Sequence, residues 1–107
     1  MTKKLLKLGL LDKADLQNET AEKPAYKKYF MHGTSHHIGL DTHDYGLLHL
    51  PMESNMVFTV EPGIYIPEEG FGVRLEDDVV IQKTGAPMNL MESIPIEIEE
   101  IETLMNA

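Results

Sequence analysis

Two extended runs flank a single acidic bend, and they impose a β architecture on the middle of this 107-residue chain. Met56-Val57-Phe58-Thr59-Val60 is rich in β-branched and aromatic residues, Glu61-Pro62-Gly63 interrupts it, and Ile64-Tyr65-Ile66 resumes it. Proline cannot donate to a sheet ladder and glycine weakens one, so the interruption predicts a bend or bulge carrying a carboxylate. Pro67-Glu68-Glu69-Gly70 then signals a turn. Residues 72 to 82 alternate, which predicts one strand with Val73, Leu75, Asp77, Val79 and Ile81 on one face and Arg74, Glu76 and Asp78 on the other.

Helices are expected only towards the two ends. Leu5, Leu6, Leu8 and Leu11 recur near helical spacing while Lys3, Lys4 and Lys7 fall largely elsewhere, which predicts a short amphipathic helix before Asp12. Residues 12 to 28 are polar, contain Pro24, and read as a connector with a helical turn or two capped by Asp15. Residues 29 to 44 change to aromatic, Gly, Ser, Thr and His residues, which suit extended segments and tight turns. At the far end, Ile98, Ile101, Leu104 and Met105 form the apolar stripe of a helix whose acidic face, with Glu97, Glu99, Glu100 and Glu102, belongs in solvent.

Composition narrows the function classes. The chain is the size of one small domain or a piece of a larger one. Its formal net charge of -9, from 18 acidic against 9 basic residues, would repel phosphates and excludes nucleic acid as a partner. With no cysteine, a metal must be held by His, Asp and Glu, and a cytoplasmic setting is expected. Residues 1 to 11 start basic and turn apolar, but Lys7 and Gly9 break the run and no small-residue cleavage site follows, so a mature helix is expected rather than a signal peptide. No apolar stretch approaches the roughly 20 residues that span a bilayer, and no membrane partner is expected.

Chemistry enters with the run His32-Gly33-Thr34-Ser35-His36-His37 and with His43 after it. Neutral imidazoles and carboxylates are the usual ligands of hard or borderline divalent metals. Spacing alone decides little. His32 and His36 would share a helix face, but Gly33, Thr34 and Ser35 disfavour a helix, and there is no HExxH pattern. Taken singly, each histidine is more often a hydrogen-bonded structural residue than a ligand. Arg74, Glu76 and Asp78 are likewise open to two readings, a solvated face with weak surface pairs or a cluster held by a metal.

Three motifs together go further. Phe30-Met31-His32-Gly33-Thr34-Ser35-His36-His37-Ile38-Gly39-Leu40-Asp41-Thr42-His43-Asp44, Met56-Val57-Phe58-Thr59-Val60-Glu61-Pro62-Gly63-Ile64-Tyr65 and Gly72-Val73-Arg74-Leu75-Glu76-Asp77-Asp78-Val79-Val80-Ile81 follow one another in order. In this wording and order the chain resembles the aminopeptidase P branch of the pita-bread metallopeptidases, most strongly over residues 29 to 81. The resemblance implies an α+β fold, the C-terminal half of a pita-bread fold, with a curved, mostly antiparallel sheet and flanking helices. Residues 1 to 107 would be the C-terminal part of the catalytic domain, a single incomplete domain. It also implies a site for two divalent metal ions, usually Mn with Zn or Co as alternatives, held by one His, two Glu and two Asp around a shared water.

Carried over residue by residue, the resemblance makes His36, Glu61 and Glu76 metal ligands, with Glu61 also a general base and Glu76 reaching both ions. His32 and His43 would hydrogen-bond the scissile peptide, and Arg74 would orient the carboxylates with its bidentate fork. His37 and His49 receive no role, and Asp41 and Asp44 would turn or cap the loop. The family draws its two Asp ligands from an earlier Asp-x-Gly segment followed by a second Asp, which this sequence lacks; Asp12 and Asp15 sit in a helix-cap context and are poor substitutes. A fragment with negligible activity of its own is therefore expected. Its partners would be proline-containing peptides, the N-terminal half of the catalytic domain, and further copies of itself through an exposed sheet edge or apolar face. A prolidase fragment, a non-catalytic binding module of this fold, and a small independent metal-binding protein are the competing readings.

Overall fold

The leucines near the amino terminus form α1 (Thr2–Lys7), which buries Leu5 completely. Gly9 ends the helix in a left-handed conformation, φ 73°. Leu10 N–H then donates to the Leu5 carbonyl and Gly9 N–H to that of Leu6, both at 3.0 Å. This reversal satisfies carbonyls that the helix end would leave orphaned. A side chain at Gly9 would cost about 1–2 kcal/mol for the left-handed backbone. The reversal brings Leu11 against Leu5 and Tyr29, and Ile64 and Ile66 pack on the same cluster. Each fully buried leucine contributes about 1.5–3 kcal/mol, so this cluster carries much of the local stability.

The connector does contain a helix, α2 (Lys13–Gln17), but its cap differs from the expectation. Asp12 is the N-cap and Asp15 is the third helical residue. Asp12 Oδ1 accepts from Asp15 N–H at 2.8 Å, while Asp15 Oδ2 accepts from Asp12 N–H at 2.9 Å. Two carboxylates three residues apart can satisfy each other's backbone donors, and only the earlier one can then stand outside the helix. A short 3-10 turn, Ala25–Lys28, leads into Tyr29.

Five strands follow: β1 (Val57–Val60), β2 (Gly63–Ile66), β3 (Phe71–Arg74), β4 (Asp77–Val80) and β5 (Met88–Asn89). The break at Glu61 and Pro62 falls where the proline demanded it, and Gly70, φ 71°, turns β2 into β3. The single alternating strand expected over residues 72 to 82 is not found. It is two strands, interrupted at Leu75 and Glu76, because the segment changes partners there: β3 pairs antiparallel with β2, and β4 with β1 and β5. Arg74, Glu76 and Asp78 therefore do not form one continuous strand face.

The computed structural model describes all residues, Met1–Ala107, as two units. One comprises Met1–Gly33 and Pro62–Arg74, with the leucine cluster and the β2–β3 hairpin. The other comprises Thr34–Glu61 and Leu75–Ala107, with the β1–β4–β5 sheet and the closing helix α3 (Ile98–Met105). In α3 the acidic face is solvated as expected, but Ile98, Leu104 and Met105 are exposed as well. No helix is long and apolar enough to cross a membrane.

Candidate metal centre

In the second unit the histidine loop runs beside β1 as an irregular neighbour. Glu61 N–H donates to the Thr34 carbonyl at 2.8 Å, Thr59 N–H to that of His36 at 3.0 Å, and Ile38 N–H to that of Val57 at 3.3 Å. On its other side β1 pairs with β4, with Val60 opposite Asp77. The next residues along that ladder are Glu61 and Glu76, so β pairing alone brings the two glutamates across from one another. Loop, strand end and strand start thus converge, and ligand atoms of His36, Glu61 and Glu76 all lie within 4.8 Å of one another. Positions 36, 61 and 76 are far apart in sequence, and backbone pairing supplies their proximity.

The imidazole of His36 is oriented by its second nitrogen. Nδ1 lies 2.8 Å from the His37 carbonyl oxygen. A carbonyl can only accept, so Nδ1 carries the proton, and in the neutral ring Nε2 is left with its lone pair. Nε2 faces Glu61 Oε1 at 3.1 Å. Two lone pairs at that distance repel unless a proton or a metal cation lies between them. Donors about 2.1 Å from an octahedral cation and at right angles stand about 3 Å apart, so the spacing suits an ion. With the Glu76 carboxylate as third donor, the nitrogen and oxygen set fits a hard or borderline divalent metal. Glu61 is buried and accepts a hydrogen bond from Thr59, and a cation beside it would further offset the cost of burying its charge.

The other residues singled out in the sequence divide between the units. His43 stacks on His36 with ring centroids 4.3 Å apart. His37 turns to Phe58, 4.2 Å between centroids, and lines an apolar pocket with Tyr45, Leu47, Met52 and Met56. It matters to the site through its backbone carbonyl, which also accepts from Asp44 N–H at 3.0 Å. Asp44 caps the loop, its Oδ2 accepting from Leu40 N–H at 3.0 Å.

His32 and Arg74 belong to the first unit. Arg74 ends β3 opposite Gly63. His32 donates from Nδ1 to the Gly33 carbonyl at 2.6 Å, and Tyr65 Oη lies 3.0 Å from its Nε2. Both ring nitrogens are thus engaged, and a substrate contact from His32 would have to displace the Tyr65 hydroxyl. Gly63 makes the pair fit: a side chain there would come within 3.0 Å of both the Tyr65 ring and His32 Nε2.

Thr59 and Tyr65 were not singled out in the sequence, where both read as ordinary strand residues. Their polar partners, His36 and Glu61 for Thr59 and His32 for Tyr65, are fixed by the folded contacts.

Comparison with known proteins places the chain in a family. The sequence model for metallopeptidase family M24 matches residues 9–83. The chain belongs to metallopeptidase family M24. Among M24 relatives, an Escherichia coli Xaa-Pro aminopeptidase is 45% identical, over 100% of this chain and 26% of its own length. Human Xaa-Pro aminopeptidase 3 is 38% identical, over 94% of this chain and 21% of its own. The solved aminopeptidase PepP of Pseudomonas aeruginosa superposes with a TM-score of 0.78 at 38% identity, covering 95% of this chain and 26% of that one. The mixed helical and antiparallel architecture is accordingly part of a pita-bread fold, as expected. The chain spans about a quarter of the length of these M24 relatives. Membership of M24 implies divalent metal ions, in keeping with the donor set of His36, Glu61 and Glu76.

Proposed function

We propose that this chain is the C-terminal part of the catalytic domain of an Xaa-Pro aminopeptidase and holds half of a two-metal site. The observation that carries this reading is the convergence of His36, Glu61 and Glu76, with His36 Nε2 turned towards Glu61 while Nδ1 bonds the His37 carbonyl, in a chain whose M24 relatives are named for Xaa-Pro cleavage. These three residues would hold divalent ions, manganese before zinc or cobalt. Such ions lower the pKa of a shared water, polarise a scissile carbonyl and stabilise the charge that develops on it.

The protein's own groups supply orientation and proton handling. The carboxylate of Glu61, buried and hydrogen-bonded, is placed to accept a proton from an attacking water. His43, held against His36, offers an imidazole to the scissile peptide. The roles given to His32 and Arg74 rest on the family resemblance. The remaining partners are proline-containing peptides and the N-terminal half of the catalytic domain, which would bring the two aspartates that these 107 residues lack. The absence of cysteine fits a cytoplasmic setting.

Peptide hydrolysis tests the reading. With Mn²⁺, the 107-residue chain is expected to release no amino-terminal residue from an Xaa-Pro-Xaa tripeptide. Joined to a polypeptide that supplies the two-aspartate segment, it is expected to cleave that peptide and spare the Xaa-Ala-Xaa analogue. Turnover by the isolated chain would sink the half-site reading, and cleavage indifferent to proline would sink the Xaa-Pro assignment.

A further inference from the structure

Thr59 lies in β1, its side chain fully buried, with one ligand candidate on either side of its hydroxyl. His36 N–H donates to Thr59 Oγ1 at 3.0 Å, and Oγ1 lies 3.2 Å from Glu61 Oε1. A hydroxyl has one proton and two lone pairs. The amide can only donate and therefore takes a lone pair, while an ionised carboxylate can only accept and therefore takes the proton. Both roles are filled without conflict. The Glu61 oxygen that receives the Thr59 proton is the one that faces His36 Nε2 at 3.1 Å. Thr59 N–H also donates to the His36 carbonyl at 3.0 Å, so residues 36 and 59 are tied by backbone and side chain together.

We propose that Thr59 is a positioning residue that fixes His36 and Glu61 as a preformed ligand pair for a divalent cation, an inference that rests on the metal-site reading above. Its β-branched side chain is stiff about χ1, and the strand holds its backbone. The hydroxyl thus fixes the distance between the loop that carries His36 and the carboxylate at the strand end. Without it, Glu61 Oε1 would lose the donor that ties it to the His36 loop, and the carboxylate would be held less closely in the ligating position. A purely structural threonine would affect stability and leave metal affinity unchanged.

The test is titration of the 107-residue chain with Mn²⁺ by calorimetry, for the wild type, Thr59→Val, Thr59→Ser and His36→Ala. Valine keeps the shape and the strand preference and removes only the hydroxyl. Thr59→Val is expected to weaken binding roughly 10- to 100-fold and Thr59→Ser to restore it to within about threefold of wild type, the range seen when partners of metal ligands are removed. Equal affinity for Thr59→Val and wild type would overturn the proposal. If Thr59→Val does not fold, Thr59→Ser decides, and a tenfold or greater loss in that folded variant, which retains the hydroxyl, also overturns it.

Mn²⁺ binding that His36→Ala leaves untouched would remove the metal-site reading itself. Amide hydrogen exchange in the metal-free chain then judges Thr59 separately. Faster exchange of the His36 amide in Thr59→Val, with Thr59→Ser like wild type, supports the clamp, and equal rates in all three sink it.

Discussion

His36 and Glu61 face each other with Nε2 3.1 Å from Oε1, although the histidine comes from an irregular loop and the glutamate from the end of a strand. The backbone brings the two residues together, since the loop runs beside β1 with Thr59 bonded to His36 and Glu61 bonded to Thr34. Removing the side chains should therefore alter metal binding much more than fold.

The first prediction follows from that separation. His36→Ala and Glu61→Gln are each expected to weaken Mn²⁺ binding by at least the roughly 10- to 100-fold that loss of an outer partner costs. Circular dichroism of the metal-free chain should change little. Binding should also weaken on acidification, because an imidazole and two carboxylates must be unprotonated to ligate, and should release protons in proportion. Wild-type affinity in both variants, measured by calorimetry, would exclude these residues as ligands.

The second concerns α2. Asp12 caps the helix and Asp15 answers it, and Asp15 is held below the usual carboxylate range chiefly by its hydrogen bond from the Asp12 backbone, with the charge of Lys28 adding to it. A depressed carboxyl pKa stabilises the folded form above the unfolded value of 3.8, and that contribution is lost as pH falls through the lower folded value. Asp12→Ala is expected to cost about 1 kcal/mol in thermal or urea unfolding near neutral pH. The difference between Asp15→Asn and wild type should shrink below pH 3.8 as the wild-type carboxyl takes up its proton. A gap that stays constant down to the acid limit would show that the charge on Asp15 contributes nothing to stability.

Local chemistry was legible where it depended on neighbours in sequence. The break at Glu61 and Pro62, the turn at Gly70 and the helix around Leu5 follow from proline, glycine and leucine spacing. Partner exchange was not legible. Alternation over residues 72 to 82 is the same whether a strand keeps one neighbour or changes it at Leu75, so the β3–β4 interruption left no periodic trace. Asp12 and Asp15 could each cap a helix, and only the reciprocal bonds choose between them. His36, Glu61 and Glu76 were found from motif resemblance, since their spacing resembles no short metal motif. Thr59 and Tyr65 read as strand formers because their hydroxyl partners, Glu61 with His36 and His32, are identified only by contact.

The last prediction comes from surface area. A self-sufficient monomer of 12.1 kDa exposes about 6,000 Å², whereas this chain exposes 8686 Å². The excess of about 2,700 Å² matches the area that an obligate interface hides. Much of it is apolar: Leu40, Tyr45, Leu48, Ile98 and Met105 are each more than 70% exposed. At about 25 cal/mol per Å², even half of that excess, buried, is worth tens of kcal/mol before the ordering cost of association. The isolated chain is therefore expected to self-associate, with an apparent mass by light scattering that rises with concentration. Ile98→Glu with Leu104→Glu, both on exposed positions of α3, should reduce the association and leave the β1–β4 sheet intact. A wild-type chain that stays monomeric up to hundreds of micromolar would show that this surface is tolerated in water.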